Sequence, residues 1–418
     1  MQTRRRFLGS AAALGAALAA PSLAQGTPRV VVVGGGAGGA TAALHLARQA
    51  AGALDVTLVE PNPIYTTCFF SNHYIGGLRS LDSLQHGYGG LAAAGVTLVP
   101  DRAIGVDRLA RTVTLAGGAV LPYDRLVLSP GIDFVPDSVP GWSPAMAEIM
   151  PNGYRAGPEI TLLKAQIESM REGGTFCIVT PPDPYRCPPG PYERISMIAH
   201  VLKQRNPTAR ILILDPKPKY SKQALFEEGW QNHYTGMIER IGPDMGGDLI
   251  EVRPQTMEVV IDGEAEPVDV CNVIPAQVAG RIVAEAGLTD DSGWAPVRPE
   301  DMTSRLDDSV HVLGDAALQG DMPKSGFAAN SQARVAVQAI LGALTGRAVP
   351  PAEYASICWS VLAPGDSVKV GAVYAPQDDK ISSVHGFISQ MNEDAETRQA
   401  TYAEGMGWYD NATADMFG

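Results

Sequence analysis

The chain has 418 residues, more than one ordinary hydrophobic core accommodates, so two or three domains are expected. Its composition, 45% hydrophobic and 18% charged, is that of a globular protein and excludes a disordered one. A formal charge of -13 weighs against nucleic acid and anionic membrane surfaces as partners.

Residues 1–25 stand apart from the rest of the chain. Arg4-Arg5-Arg6-Phe7-Leu8 leads into the apolar run AAALGAALAA and then into small residues at Ser22 and Ala24, the pattern of an export signal. The arginine pair before Phe-Leu points to the twin-arginine route and so to the periplasm, where disulfides are permitted. The apolar run is too short to span a bilayer. No later stretch is long enough either, so no integral membrane segment is expected.

TPRVVVVGGGAGGATAALHLARQ opens the next part as a buried valine strand, a glycine turn and an apolar-spaced helix. Gly34, Gly36 and Gly39 satisfy GxGxxG in the strand-turn-helix context that gives the motif meaning. DVTLVE closes the βαβ unit with Glu60 at the strand end. The glycines allow backbone to approach a pyrophosphate at the helix N-terminus, and the acid reaches a ribose. YDRLVLSPGIDF ends a further strand in a Pro-Gly turn at Gly131, and HVLGDAA ends another at Gly314-Asp315 before a long helix. Such domains place an Asp like Asp315 on the ribityl chain of FAD and aim the following helix at the flavin, so the cofactor read here is FAD rather than NAD.

Between these elements TFCIVTPP, ARILILDPKP, GDLIEVRPQ and VDVCNVIPAQVAG form a second α/β unit. Where its first strand should meet a glycine loop for a nicotinamide cofactor, it meets PPDPYRCPPGPYE instead. Proline lacks the N–H that would donate to phosphate, and Asp183 would repel it, which argues against NAD(P)H as electron donor. The loop places Cys187 beside Arg186, a setting read as an exposed, rigid turn whose cation favours a thiolate. Cys177 and Cys271 lie mid-strand among apolar residues and read as core filling. Cys68, Cys187 and Cys358 occupy loop-like settings, an odd number that leaves one unpaired if two form a disulfide. His73 reads as a surface or packing residue, and the seven histidines show no ligand spacing, so no metal or haem site is expected in this chain.

The expected fold class is α/β. FAD-binding residues 26–160 and 291–346 enclose a second Rossmann-like unit, 161–290, of degenerate nicotinamide type. Residues 347–418 form a C-terminal α+β interface domain of strands and a polar helical tail.

The strings VVVVGGGAGGATAA, YTTCFFSNHYIGG, YDRLVLSPGIDF, RCPPGPYERI, HVLGDAA, MPKSGFAANSQA and ICWS carry a resemblance over essentially the whole chain after residue 25. It resembles the flavoprotein subunit of flavocytochrome c sulfide dehydrogenase, a relative of the sulfide:quinone oxidoreductases. The resemblance implies that Cys68 links to the flavin, that Cys187 and Cys358 are a redox-active disulfide, and that Glu193 moves protons nearby. It implies that Lys324 stabilises reduced flavin, that sulfide is the substrate, and that a separate c-type cytochrome subunit takes the electrons. The alternatives are a sulfide:quinone oxidoreductase, a flavoprotein partner of a sulfur-oxidising complex with little turnover of its own, and an NADH-dependent disulfide reductase. The acidic C-terminal segment weighs against the first, the retained loop cysteines against the second and the proline loop against the third.

Overall fold

The computed structural model describes residues 26–155 and 157–418; the twin-arginine segment lies outside the described residues. A six-stranded sheet forms the first layer. Its strand order is Thr303–Ser304, Asp307–Val312, Arg125–Leu128, Arg29–Val33, Asp55–Val59 and Thr97–Val99, parallel except at the first edge. Val30 to Val33 are all buried at its centre, as a strand covered on both faces requires. Helix Ala37–Ala50 and helix Gly326–Thr345 share one core with this sheet, built largely from alanine, leucine and valine.

A second parallel sheet runs in the order Ile238–Ile241, Arg210–Leu214, Thr175–Val179 and Val270–Val273. Cys177 and Cys271 sit opposite each other in its register and are fully buried, in keeping with a packing role. The antiparallel ribbon Ile250–Arg253, Glu258–Ile261 and Glu264–Pro267 shares an apolar core with this sheet, and helices Gly190–Arg205 and Gln223–His233 share a separate one with it.

The C-terminal part is a three-stranded antiparallel sheet, Tyr354–Ala363, Asp366–Gln377 and Lys380–Ile388, followed by helix Ala395–Phe417. Asp394 caps that helix by accepting from the Thr397 N–H at 2.8 Å. It is no detached polar tail. Tyr409, Ala412, Met416 and Phe417 are buried, and Ala412, Met416 and Phe417 join the core of the first sheet. Burial of side chains the size of Met416 and Phe417 stabilises by about 1.5–3 kcal/mol each. Asp415 adds contacts to His45 at 3.0 Å and Arg334 at 2.9 Å.

Candidate functional site

The glycine turn forms because nothing larger fits. Gly34 has φ +97°, and a Cβ there would lie 2.4 Å from the Ser129 carbonyl oxygen. A Cβ on Gly39 would lie 1.8 Å from the Gly34 oxygen, so this glycine underlies the turn and lets the helix press against it. The turn opens into a cleft of about 490 Å³ lined by Gly34, Gly36, Glu60, Cys68, Gly131 and Asp315. Glu60 is fixed at its rim by accepting from the Gly35 and Asn62 N–H groups, each at 2.9 Å. Burial pushes the Asp315 carboxyl up against the pull of Arg186 and Lys324, and its Oδ1 is buried without a partner. An acid with one unpartnered oxygen, in a cleft that starts at a glycine turn and a helix N-terminus, fits the ribityl hydroxyls and pyrophosphate of FAD. Ser325 and Gly326, the cap and first residue of the long helix, also line the cleft, and Ser325 Oγ accepts from Ala328 N–H at 3.0 Å.

Lys324 does not take the expected place. Its ammonium donates to the carbonyls of Asp315 at 2.9 Å and Ala317 at 2.7 Å, and it lies 3.7 Å from the Trp294 ring centroid. It lines none of the cleft, and burial lowers its pKa to about 8. In this structure it ties the Asp315 turn together.

The proline loop is held down where a nicotinamide cofactor would need open backbone. Lys217 Nζ donates to the Pro181 carbonyl at 2.6 Å and to Thr180 Oγ1 at 3.0 Å. Asp215, fully buried at the end of its strand, takes Lys217, Arg240 Nε, Tyr192 Oη and Thr180 Oγ1, all within 2.9 Å. An acid at this strand end is the group that a dinucleotide-binding unit would offer to a ribose; here its lone pairs are consumed. The neighbouring cavity is lined by Pro182, Pro216, Asp248 and Glu251 and by no lysine or arginine, a poor setting for a pyrophosphate.

At the far end of the loop Cys187 adopts a left-handed backbone, φ +57°, uncommon for a residue with a side chain. Its N–H donates to the Lys324 carbonyl at 2.8 Å. Cys187 and Cys358 line the same two cavities and sit close enough for each thiol to shift the other's proton affinity, although they come from the proline loop and from the C-terminal sheet. All five cysteines are free thiols, so the expected Cys187–Cys358 disulfide is not formed here, and the two residues instead share one cavity as a dithiol. The contact with Cys358 and burial together push the Cys187 thiol up, whereas the same contact draws Cys358 down to about 7 against the effect of burial. The expectation of an exposed Cys187 thiolate favoured by Arg186 is thereby corrected. Cys187 is half-buried, and Arg186 is engaged elsewhere, by the Tyr154 carbonyl and by Asp315 at 3.7 Å.

The two sulfurs line a cavity of about 90 Å³ whose wall is shared with the flavin cleft through Cys68, Phe69, Tyr154 and Arg186. Glu193 enters it from the first turn of helix Gly190–Arg205. Burial would raise its carboxyl, but interactions with His73, the Val361 N–H and Asn72 hold it below the ordinary glutamate range. The distances are 3.6 Å to His73 Nε2, 3.0 Å to the Val361 nitrogen and 2.8 Å to Asn72 Nδ2. His73 is 2% exposed and belongs to this cluster, which its sequence neighbours did not signal. Trp359, Phe327, Trp408, Tyr402 and Met406 complete the wall, the last three from helix Ala395–Phe417; the Phe327 and Trp408 rings stack at 5.5 Å. No sequence spacing marks these residues, since the strand and helices that bring them together lie far apart along the chain.

The flavin cleft, the dithiol and the buried carboxylate therefore form one continuous site. Residues 160–275 match the family model for the central part of the sulfide dehydrogenase (flavocytochrome c) flavoprotein chain, and residues 350–417 match that for the flavocytochrome c sulphide dehydrogenase flavin-binding part. The chain is 57% identical over 47 residues to the sulfide dehydrogenase (flavocytochrome c) flavoprotein chain of Chlorobaculum thiosulfatiphilum, which covers 96% of that sequence and 11% of this one. The chain belongs to the family of flavocytochrome c sulfide dehydrogenase flavoprotein chains. Residues 28–152 match the wider pyridine nucleotide-disulphide oxidoreductase model. The mitochondrial sulfide:quinone oxidoreductase of Mus musculus is 24% identical over 331 residues, 72% of this chain and 67% of that one. In fold, the sulfide:quinone oxidoreductase of Aquifex aeolicus superposes with a TM-score of 0.71 at 17% identity, over 93% of this chain and 92% of that one.

Proposed function

We propose that this flavoprotein is a periplasmic sulfide dehydrogenase that oxidises sulfide at Cys187 and Cys358 and delivers the electrons to a c-type cytochrome subunit. Residues 1–25 serve as its twin-arginine export signal. The observation that carries the reading is the meeting of Cys187 and Cys358 in a cavity that shares a wall with the flavin cleft.

In the oxidised protein the two sulfurs form a disulfide. Hydrosulfide attacks one of them; the Cys187–Cys358 bond breaks, a persulfide forms on the attacked cysteine, and the other leaves as a thiolate. Glu193, ionised and buried in the same cavity, accepts the proton that the substrate sulfur gives up. FAD, when bound, would supply two-electron acceptance and one-electron release, the chemistry that a haem partner requires. Gly34, Gly36, Glu60, Gly131 and Asp315 would hold FAD, with Gly39 supporting the turn, and Cys68, which lines the same cleft, is the proposed covalent tether. The clamped proline loop supports electron entry through the dithiol in place of NADH.

Anaerobic sulfide should bleach the flavin of the purified protein, and cytochrome c should restore the colour, whereas NADH should leave it oxidised. Either Cys187→Ser or Cys358→Ser should abolish sulfide bleaching while dithionite still reduces the flavin. Undiminished sulfide-dependent reduction in both variants would sink the proposal. The acidic, polar C-terminal segment lacks the apolar or amphipathic character of a membrane-docking face, which favours a cytochrome over a membrane quinone as acceptor. Quinone reduction by the washed protein, with no cytochrome reduction, would reverse that choice.

A further inference from the structure

Lys222 is a buried cation that the proposed sulfide chemistry leaves unused. It lies at the start of helix Gln223–His233 in a left-handed conformation, φ +61°, with only 6% of its surface exposed. Its ammonium donates to the Cys358 carbonyl at 3.0 Å and to Ser360 Oγ at 2.8 Å. Among the described residues it makes no ion pair with a carboxylate. A buried ammonium without a contacting anion is costly, and such a charge is retained where a countercharge forms nearby.

The charged and titratable groups around it are few. Cys358, Glu193 and Cys187 all act on Lys222, and Cys187, Lys222 and Glu193 all act on Cys358. Glu193 is already saturated by the Val361 N–H, Asn72 and His73. Beside the ionised Glu193, the Cys358 sulfur, on the residue whose carbonyl Lys222 grips at 3.0 Å, is the further anion the cation can serve.

We propose that Lys222 is a positioning residue whose ammonium is the countercharge for a Cys358 thiolate whenever the Cys187–Cys358 bond is open, and that it thereby makes the bond a stronger oxidant. The proposal rests on Cys187 and Cys358 being a redox pair. Two-electron reduction of the disulfide then takes up one proton, on Cys187, and leaves Cys358 as the anion. Stabilising the reduced form in this way favours reduction of the bond. Burial lowers the proton affinity of Lys222, and the thiolate opposes that loss, so the two charges sustain each other.

The test is alkylation of the dithiothreitol-reduced, flavin-loaded protein with iodoacetamide across pH, followed for the Cys358 peptide by mass spectrometry. Only the thiolate reacts, so the pH midpoint reports its proton affinity. In the unmodified protein the midpoint should lie near 7. Lys222→Met should raise it by at least about one unit, slowing alkylation at neutral pH by roughly tenfold, and Lys222→Arg should bring it back. In a dithiothreitol redox buffer the Lys222→Met disulfide should also be harder to reduce. A merely structural Lys222 would lower the melting temperature and leave both readouts unmoved, and that result overturns the proposal. If Lys222→Met does not fold, the unmodified protein still decides: a Cys358 midpoint at the ordinary thiol value of about 8.5 overturns it equally. These readouts need no sulfide. A protein that sulfide cannot bleach but whose Cys358 midpoint moves with Lys222 would refute the substrate and leave the countercharge standing.

Discussion

Replacing Glu193 with glutamine separates proton transfer from architecture. The two carboxylate oxygens are both engaged, Oε2 by Asn72 Nδ2 at 2.8 Å and Oε1 by the Val361 N–H at 3.0 Å, with His73 Nε2 at 3.6 Å. A glutamine keeps one carbonyl oxygen for one donor and turns an NH2 toward the other, so about one charge-assisted hydrogen bond is lost. Such a bond contributes about 1.5–3 kcal/mol. Loss of a positioned base costs on the order of 10²–10⁴-fold in rate. Glu193→Gln should therefore fold with its flavin, melt modestly earlier, and lose sulfide-driven flavin reduction by at least a hundredfold in anaerobic stopped flow at neutral pH. The folded carboxyl lies below the unfolded value of about 4.3. Its ionised form therefore stabilises the fold above that pH, and the contribution disappears as pH falls through the lower folded value. Glu193→Gln should lack this part of the acid dependence of stability. A reduction rate within tenfold of the parent, with full flavin content, would refute a proton-transfer role for this carboxylate.

Three further outcomes rest on the same geometry. Acid precipitation of the flavin-loaded protein should leave yellow flavin in the pellet, and Cys68→Ser should release it to the supernatant; free flavin from the unsubstituted protein would remove Cys68 as a tether. Asp215→Ala strands the buried Lys217 and removes the partner of half-buried Arg240, and urea unfolding should show a loss of about 3–5 kcal/mol, the usual cost of breaking a buried pair. Gly39→Ala drives a Cβ to 1.8 Å from the Gly34 oxygen, so the protein should purify without flavin or fail to fold, whereas Gly89→Ala, with open space around it, should keep its flavin.

Local chemistry was legible wherever one short segment carries the whole constraint. The Gly34 turn, Glu60 and Asp315 sit at strand ends whose apolar runs announce them, and the structure places all of them on the flavin cleft. The proline loop was equally plain, because missing N–H groups can be counted from residues alone. What stayed hidden depends on partners far away in the chain. Lys217 reads as one more lysine until its hydrogen bond to the Pro181 carbonyl is seen. The Arg186 guanidinium was expected to serve its sequence neighbour, but Asp315 lies 3.7 Å from it and competes for it. Lys324 precedes the correct helix, yet its ammonium is engaged by two carbonyls and the Trp294 face. His73 has no periodic signature, and the lining residues of helix Ala395–Phe417 carry only the spacing of any helix face; only the folded chain sets them around Glu193 and the sulfurs.

The placement of Cys187 and Cys358 also has a mechanical side. One sulfur belongs to the loop that leads into helix Gly190–Arg205 and the other to strand Tyr354–Ala363, so a bond between them is a covalent staple across two separately built layers. Closing a loop of that length restricts the unfolded chain by roughly 5 kcal/mol on a chain-entropy account. Each arrival of substrate would then cut the staple and each reoxidation restore it, so the molecule alternates between a tighter and a looser form as it turns over. Resistance to heat or protease becomes a gauge of how often the sulfurs are open, and starvation for the electron acceptor should show up as fragility of the fold.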